Sequence, residues 1–147
     1  MNTTDVQLVP HLVVDGAATA IDFYRRAFGA EELYRMPEPG GPRLVHAEIS
    51  IGGHRVMLCD PFFDARDARA LGGTPVTLHL QVPDVDAAFR RAIEAGASEV
   101  MAPMDAFWGD RYGRIQDPFG HSWSLATKVR EVSEAEMQAA LRDMFQT

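Results

Sequence analysis

Residues 107–126 read FWGDRYGRIQDPFGHSWSLA and join a turn to an alternating run. Within DPFG, Asp117 can accept hydrogen bonds from its own backbone, and Gly120 tolerates positive φ. In HSWSL, successive side chains point to opposite faces of a strand, so Trp123 and Ser124 face apart. The stretch predicts a hairpin whose second strand packs Trp123 into a core beneath helices and leaves Ser124 on the other face.

A fainter copy of this pattern lies sixty-seven residues upstream. At that offset, matching residues recur in the same order: Gly53, His54 and Leu58 as Gly120, His121 and Leu125, and Gly29, Ala30 and Glu32 as Gly96, Ala97 and Glu99. Identities at one fixed offset indicate an internal repeat. We therefore interpret the chain as two copies of one unit.

Each half has the same order of secondary-structure signals. An extended apolar run precedes an amphipathic helix that ends at Gly29 or Gly96, and three further extended runs follow. Asp15 and Asp84 are the expected N-caps of the two helices. The pattern predicts an α+β fold in which two βαβββ modules form a cupped mixed β-sheet. We expect a single domain with these parts: a first module over residues 6–60, a linker over 61–73, a second module over 74–127 and a helical tail over 128–147 of the full chain, 1–147.

The tail has its own helix signals. Ser133 and Glu136 have the spacing of a capping box, and Met137, Leu141 and Met144 form an apolar stripe. An apolar stripe is typical of a helix that packs against another surface. We expect that surface to belong to a partner subunit.

Composition limits the classes of partner. The chain has 147 residues and a formal net charge of -7, which repels nucleic-acid phosphates and anionic lipid. The N-terminus lacks the zones of a signal peptide, and no apolar run reaches the ~18 residues that a membrane helix needs. Cys59 is the only cysteine and is best read as a core residue. We expect a soluble cytoplasmic protein that has neither nucleic acid nor membrane as a partner.

Two stretches and the repeat resemble a known family. DGAATAIDFYRRAFGAEE at 15–32 and FWGDRYGRIQDPFGHSWSLAT at 107–127 look like the vicinal oxygen chelate superfamily, which includes glyoxalase I, bleomycin-resistance proteins and extradiol dioxygenases. The second stretch is most similar to its PhnB-like glyoxalase-family branch. The likeness covers about residues 6–127. It implies a cavity for a small organic molecule and a homodimer, but it does not specify a reaction.

The resemblance also implies four metal-ligand positions, on the first and last strands of each module. Counted from the expected caps and the repeated glycines, these positions fall at or near Leu8, Met57, Thr77 and Ser124. None of the four is a good ligand for a divalent first-row metal. We therefore expect no cofactor and no metal at the usual centre.

A shifted metal centre is the alternative. His46 and Glu48 share one face of their strand by parity, and His79 shares a face with Thr77. Together, His46, Glu48 and His79 are a ligand set compatible with iron, manganese or zinc. They are equally compatible with hydrogen-bonded pocket residues, or with metal-free acid–base catalysis by His46 or His79. His11 has the opposite parity and is expected to face away.

The remaining candidates form a possible ligand wall. Phe107 and Trp108 can stack on a flat ligand, His79 can supply a polar lining, and Arg111 or Arg114 can bind a carboxylate. We expect a small-molecule-binding protein with the ligand residues His79, Phe107, Trp108 and Arg111. The alternative is a metal-dependent lyase, isomerase or dioxygenase that uses the shifted His/Glu site, and the catalytic candidates are then His46, Glu48 and His79.

Overall fold

The computed structural model describes residues 5–146, so residues 1–4 and 147 of the predicted domain lie outside the described part. The chain divides between residues 74 and 75 into two compact units. Each unit contains one βαβββ sequence and one four-stranded mixed sheet. The predicted α+β pattern of two βαβββ modules is therefore confirmed.

The first unit forms its sheet in the order β1-β4-β3-β2. Strand β1 pairs in parallel with β4, and the other two pairings are antiparallel. A short helix, α2, lies in the stretch predicted as a linker. The elements of this unit are β1 (His11–Val13), α1 (Ala17–Phe28), β2 (Glu31–Pro37), β3 (Leu44–Ile51), β4 (His54–Cys59) and α2 (Ala68–Leu71).

The second unit repeats this topology in the order β5-β8-β7-β6. Strand β5 is parallel to β8, and the other pairings are antiparallel. The elements of this unit are β5 (Thr77–Gln81), α3 (Val85–Ala95), β6 (Ser98–Asp105), β7 (Asp110–Gln116), β8 (Ser122–Lys128) and α4 (Glu134–Phe145). No helix among the described residues has the length and hydrophobicity that crossing a membrane requires.

The two repeat helices begin differently. As predicted, Asp84 caps α3, because its side chain accepts a hydrogen bond from the Ala87 backbone N–H at 3.1 Å. The prediction that Asp15 caps α1 is wrong: the N-cap is Gly16, at a φ of 100°. The Asp60 carboxylate, which follows β4, accepts hydrogen bonds from the Gly16 and Ala17 N–H groups instead.

The core of each unit lies between its helix and one face of its sheet. In the first unit, α1 buries Ile21 and Tyr24 and the sheet buries Leu58. In the second, α3 contributes Phe89 and β8 contributes Trp123, which is 1% exposed. Full burial of such side chains stabilises the fold by about 1.5–3 kcal/mol each. The predicted core position of Trp123 is confirmed.

The predicted hairpin turn is also present. Asp117 is buried, and its Oδ1 accepts hydrogen bonds from the backbone N–H groups of Phe119 and His121, each at 2.9 Å. Its Oδ2 accepts from the Trp123 indole N–H at 2.9 Å. One carboxylate thus fixes the turn and orients the core tryptophan.

Helix α4 begins with the predicted capping box of Ser133 and Glu136. None of its residues is buried, and Met144 and Phe145 are exposed. Met137 and Leu141 are half-buried, so the apolar side of the helix is partly covered and its C-terminal end is exposed.

Candidate ligand-binding surfaces

Strand alternation gives the second unit one face that packs on α3 and another that is polar. The register aligns His79 of β5 with Ser124 of β8, and Ser124 with Arg114 of β7. We call this surface the polar face of the second unit, defined by Thr77, His79, Gln81, Tyr112, Arg114 and Ser124. Sequence parity alone indicated that His79 and Thr77 share a face.

His79 is held by hydrogen bonds at both ring nitrogens. Its Nδ1 lies 2.6 Å from the Ser124 hydroxyl oxygen, and its Nε2 lies 2.8 Å from the Gln81 side-chain oxygen. The Gln81 oxygen can only accept, so in this arrangement Nε2 carries the ring proton. In the neutral ring, Nδ1 then accepts the Ser124 hydroxyl proton. These bonds fix the orientation of the imidazole.

An aromatic series continues from His79. The His79 and Tyr112 rings are stacked, with centroids 6.1 Å apart and an interplanar angle of 17°. Trp108 lies edge-on to Tyr112 at 5.4 Å, and Phe107 lies edge-on to Trp108 at 5.1 Å. Trp108 remains 39% exposed. Three of the predicted ligand residues thus form one series through Tyr112, which was not among the predicted residues.

The sequence also contains a signal that places Tyr112 on this face. The tight hairpin after β7 aligns Gln116 with Ser122, so counting back across the turn aligns Tyr112 with Ala126 and Arg114 with Ser124. Because β-strand side chains alternate, Tyr112 and Arg114 then share the face of Ser124.

Arg111, the fourth predicted ligand residue, has the opposite parity. Its guanidinium Nε lies 3.0 Å from Asp86 of α3, and its Nη1 lies 3.2 Å from Asp105 of β6. The hydrogen bonds to Asp86, followed by the one to Asp105, raise the pKa of Arg111. Two carboxylates already pair with this guanidinium, so it is not positioned as a free carboxylate fork on the polar face.

Arg114 does lie on the polar face, and no carboxylate in the described part of the chain pairs with it. Its Nη2 donates a long hydrogen bond of 3.4 Å to the Thr77 hydroxyl. Its Nε is buried and, among the described residues, is the only fully buried side-chain nitrogen or oxygen without a hydrogen-bond partner. Leaving such a donor unpaired costs about 1–3 kcal/mol.

The first unit carries a different polar cluster around Glu48, which is 7% exposed. Arg55 Nη2 lies 3.0 Å from each Glu48 oxygen, the Tyr34 hydroxyl donates to Oε1 at 3.2 Å, and His46 Nε2 lies 3.4 Å from Oε1. The hydrogen bonds from Arg55 hold the pKa of Glu48 below its usual range, although desolvation acts in the opposite direction. Glu48 is therefore an ionised carboxylate fixed by a guanidinium.

His11 also belongs to this surface, so the expectation that it faces away is wrong. It aligns with Met57 of β4, and its ring lies edge-on to His46 with centroids 5.6 Å apart. Desolvation, followed by the neighbouring His46, lowers the pKa of His11. The parity error follows from the helix start: the cap is Gly16 rather than Asp15, and a shift of one residue moves every side chain of a strand to the other face.

The corrected register changes the positions at which the family resemblance implies metal ligands. The first-strand positions were predicted at Leu8 and Thr77. In the structure, the first-strand residues beside the last-strand positions are His11, next to Met57, and His79, next to Ser124. The last-strand positions hold the Met57 thioether and the Ser124 hydroxyl, and this hydroxyl is already bonded to His79. These residues do not fit a divalent metal centre of the usual kind.

The three members of the shifted set are divided between the two units. His46 and Glu48 lie in the first unit, Glu48 is paired with Arg55, and His79 lies in the second unit. Among residues 5–146, no three His, Cys, Asp or Glu side chains are arranged to hold a metal ion. Cys59 is buried, and desolvation, followed by the nearby Asp60 charge, raises the pKa of its thiol.

Comparison with known proteins identifies relatives along nearly the whole chain. The sequence profile of the Glyoxalase/Bleomycin resistance protein/Dioxygenase superfamily matches residues 6–125. The uncharacterized protein Rv0887c of Mycobacterium tuberculosis is 55% identical over 139 residues, which are 91% of this chain and 81% of that protein.

Solved structures have the same architecture. TioX from Micromonospora sp. ML1 is 29% identical with a TM-score of 0.65, over 87% of this chain and 100% of that one. The PhnB protein of Bacillus cereus is 16% identical with a TM-score of 0.67, over 83% of this chain and 99% of that one. At 16% identity, the likeness to the PhnB protein shows a shared fold alone.

Proposed function

The chain belongs to the glyoxalase/bleomycin resistance protein/dioxygenase superfamily, and we propose that it binds a small, flat organic molecule without the usual metal centre of metal-using members. The binding surface is the polar face of the second unit together with Phe107 and Trp108. The observation that carries the proposal is the unbroken aromatic series from His79 through Tyr112 and Trp108 to Phe107.

The chemistry of this surface suits stacking. Tyr112 and Trp108 offer apolar ring area beside fixed polar groups, and ligand sites commonly combine such walls with a few oriented polar atoms. The exposed indole of Trp108 is available to a ligand, while its N–H is already bonded to Asp110 at 3.1 Å. Binding by stacking and burial needs no reactive group.

Tryptophan fluorescence tests this function directly. The chain has two tryptophans, and Trp123 is 1% exposed whereas Trp108 is 39% exposed. We expect 2-naphthoate or its neutral analogue 2-naphthamide to quench the Trp108 emission saturably in the wild type. Tyr112→Ala should weaken binding by ~10-fold, because stacking area is lost.

The matched control is Phe63→Ala, which removes an exposed aromatic ring of the first unit, outside the series. It should bind both probes like the wild type. Failure of both probes to bind the wild type, or equal binding by Tyr112→Ala, would overturn the proposed surface.

The metal-free part of the proposal has its own test. Protein purified without chelator or added metal should contain far less than one metal ion per chain by elemental mass spectrometry. Stoichiometric iron, manganese, nickel or zinc that disappears in His46→Ala or His79→Ala would contradict it. That result would favour the metal-dependent lyase, isomerase or dioxygenase instead.

A further inference from the structure

We infer that the ligand carries a carboxylate and that Arg114 is its anchor; the inference rests on the proposed function and specifies the chemistry of that site. The arginines of the two sheets differ in how their charge is balanced. Arg55 is paired with Glu48, and Arg111 is paired with two aspartates. Within residues 5–146, Arg114 makes a single hydrogen bond, a long one to the neutral Thr77 hydroxyl.

The unpaired Nε gives a reason for a ligand to complete this site. A guanidinium presents Nε and Nη as a planar fork that matches the two oxygens of a carboxylate. In Arg114, Nε has no hydrogen-bond partner and Nη2 has a weak one. The residue as a whole is half-buried, so part of its side chain still reaches the surface. Nε is itself buried, so a carboxylate pairs both donors once the guanidinium turns toward the surface.

The groups aligned with Arg114 do not repel an anion. Its neighbours across the sheet are Ser124 on one side and Met101 on the other, and the next strand contributes His79. Ser124 and His79 bond to each other. The row therefore contains a cation and no carboxylate.

Asp110 makes the two ends of the surface differ in charge. It lies on the same strand and the same parity as Tyr112 and Arg114, and it accepts the Trp108 indole N–H. A ligand carboxylate is repelled from the Asp110 end and attracted to the Arg114 end. Alternate residues on a strand are roughly 6–7 Å apart, so a ring on Tyr112 can carry a carboxylate that reaches Arg114.

The experiment compares 2-naphthoate with 2-naphthamide, which have the same rings but differ in charge. Isothermal titration calorimetry of the wild type should give at least ~10-fold tighter binding of the naphthoate. Arg114→Gln should abolish this preference and leave 2-naphthamide binding within ~2-fold. Arg114→Lys should keep only part of the preference for 2-naphthoate, since an ammonium lacks the planar fork.

Arg111→Gln is the matched control, because it removes an arginine of the same strand from the opposite face. It should keep the preference for naphthoate. Circular dichroism and thermal unfolding of each variant establish that it is folded before its affinity is interpreted.

The outcomes separate this inference from the function on which it rests. If neither probe binds the wild type, the proposed function fails. If both bind with equal affinity, the surface is a binding site but the carboxylate inference is overturned. A naphthoate preference that persists in folded Arg114→Gln also overturns it, because another group must then hold the anion.

Discussion

Asp60 shows how much of the first unit depends on one side chain. This aspartate is 2% exposed, and its Oδ1 accepts hydrogen bonds from the Gly16 N–H at 2.7 Å and the Ala17 N–H at 3.1 Å. Its Oδ2 accepts from the Leu44 N–H at 2.7 Å. The carboxylate thus connects the start of α1 with the start of β3. No local sequence pattern predicts such a long-range cap.

We predict that Asp60→Ala lowers the free energy of unfolding by about 3 kcal/mol or more, because it leaves buried backbone donors without acceptors. Urea unfolding followed by circular dichroism measures the change. Asp64→Ala, at an exposed aspartate nearby, is the control and should change stability by less than about 0.5 kcal/mol. A similar small effect for Asp60→Ala would contradict the capping role.

At the scale of the elements, cross-strand neighbours decide the chemistry of each sheet. Glu48 of β3 is bonded to Tyr34 of β2 and Arg55 of β4, so three strands share one carboxylate. The carboxylate acceptor contributes, after desolvation, to a raised pKa of Tyr34. This cluster therefore links the three strands.

The lowered pKa of Glu48 predicts a pH dependence of stability. A carboxyl whose folded pKa lies below its unfolded value of about 4.3 stabilises the fold above that pH. The stabilisation is lost as the pH falls from there through the folded pKa. We therefore expect Glu48→Gln to be less stable than the wild type at pH 7, and the difference to shrink as the pH falls below about 4.3.

Urea unfolding of both proteins between pH 7 and pH 3 checks this expectation. Glu99→Gln, at an exposed glutamate of β6, is the control and should follow the wild type closely. If the gap between wild type and Glu48→Gln stays constant with pH, the carboxylate is not the group responsible.

At the scale of the whole molecule, helix α4 is the element most relevant to the expected homodimer. Helix α4 has a complete capping box and no buried residue, and its Met144 and Phe145 are 61% and 82% exposed. The apolar stripe of this helix predicts packing against a partner subunit. That assembly stays a prediction.

We expect a homodimer of the 16.2 kDa chain in sedimentation experiments at micromolar concentration. Met144→Ser combined with Phe145→Ser should weaken the dimer if α4 takes part, since apolar burial drives most association. A monomer as the only wild-type species would contradict the prediction. A dimer unaffected by the double substitution would locate the interface elsewhere.

Local physics explains which features were predictable from the sequence. The hairpin at Asp117 depends on turn chemistry, the burial of Trp123 on strand alternation, and the start of α4 on the spacing of Ser133 and Glu136. Each of these needs information from only a few neighbouring residues. The repeat and the family motifs then gave the βαβββ order of both units.

Tertiary structure decided which residues meet. The start of α1 depends on Asp60, more than forty residues away in the chain, and this start placed His11 on the face of His46. Strand register decided which side of the sheet each arginine of β7 occupies. Arg111 pairs with Asp86 of α3, whereas Arg114 lies beside Ser124 on the polar face. Because strand side chains alternate with a period of two, a difference of one residue reverses the face. The sequence by itself determined the fold and the family, and long-range bonds and register determined which side chains form the site.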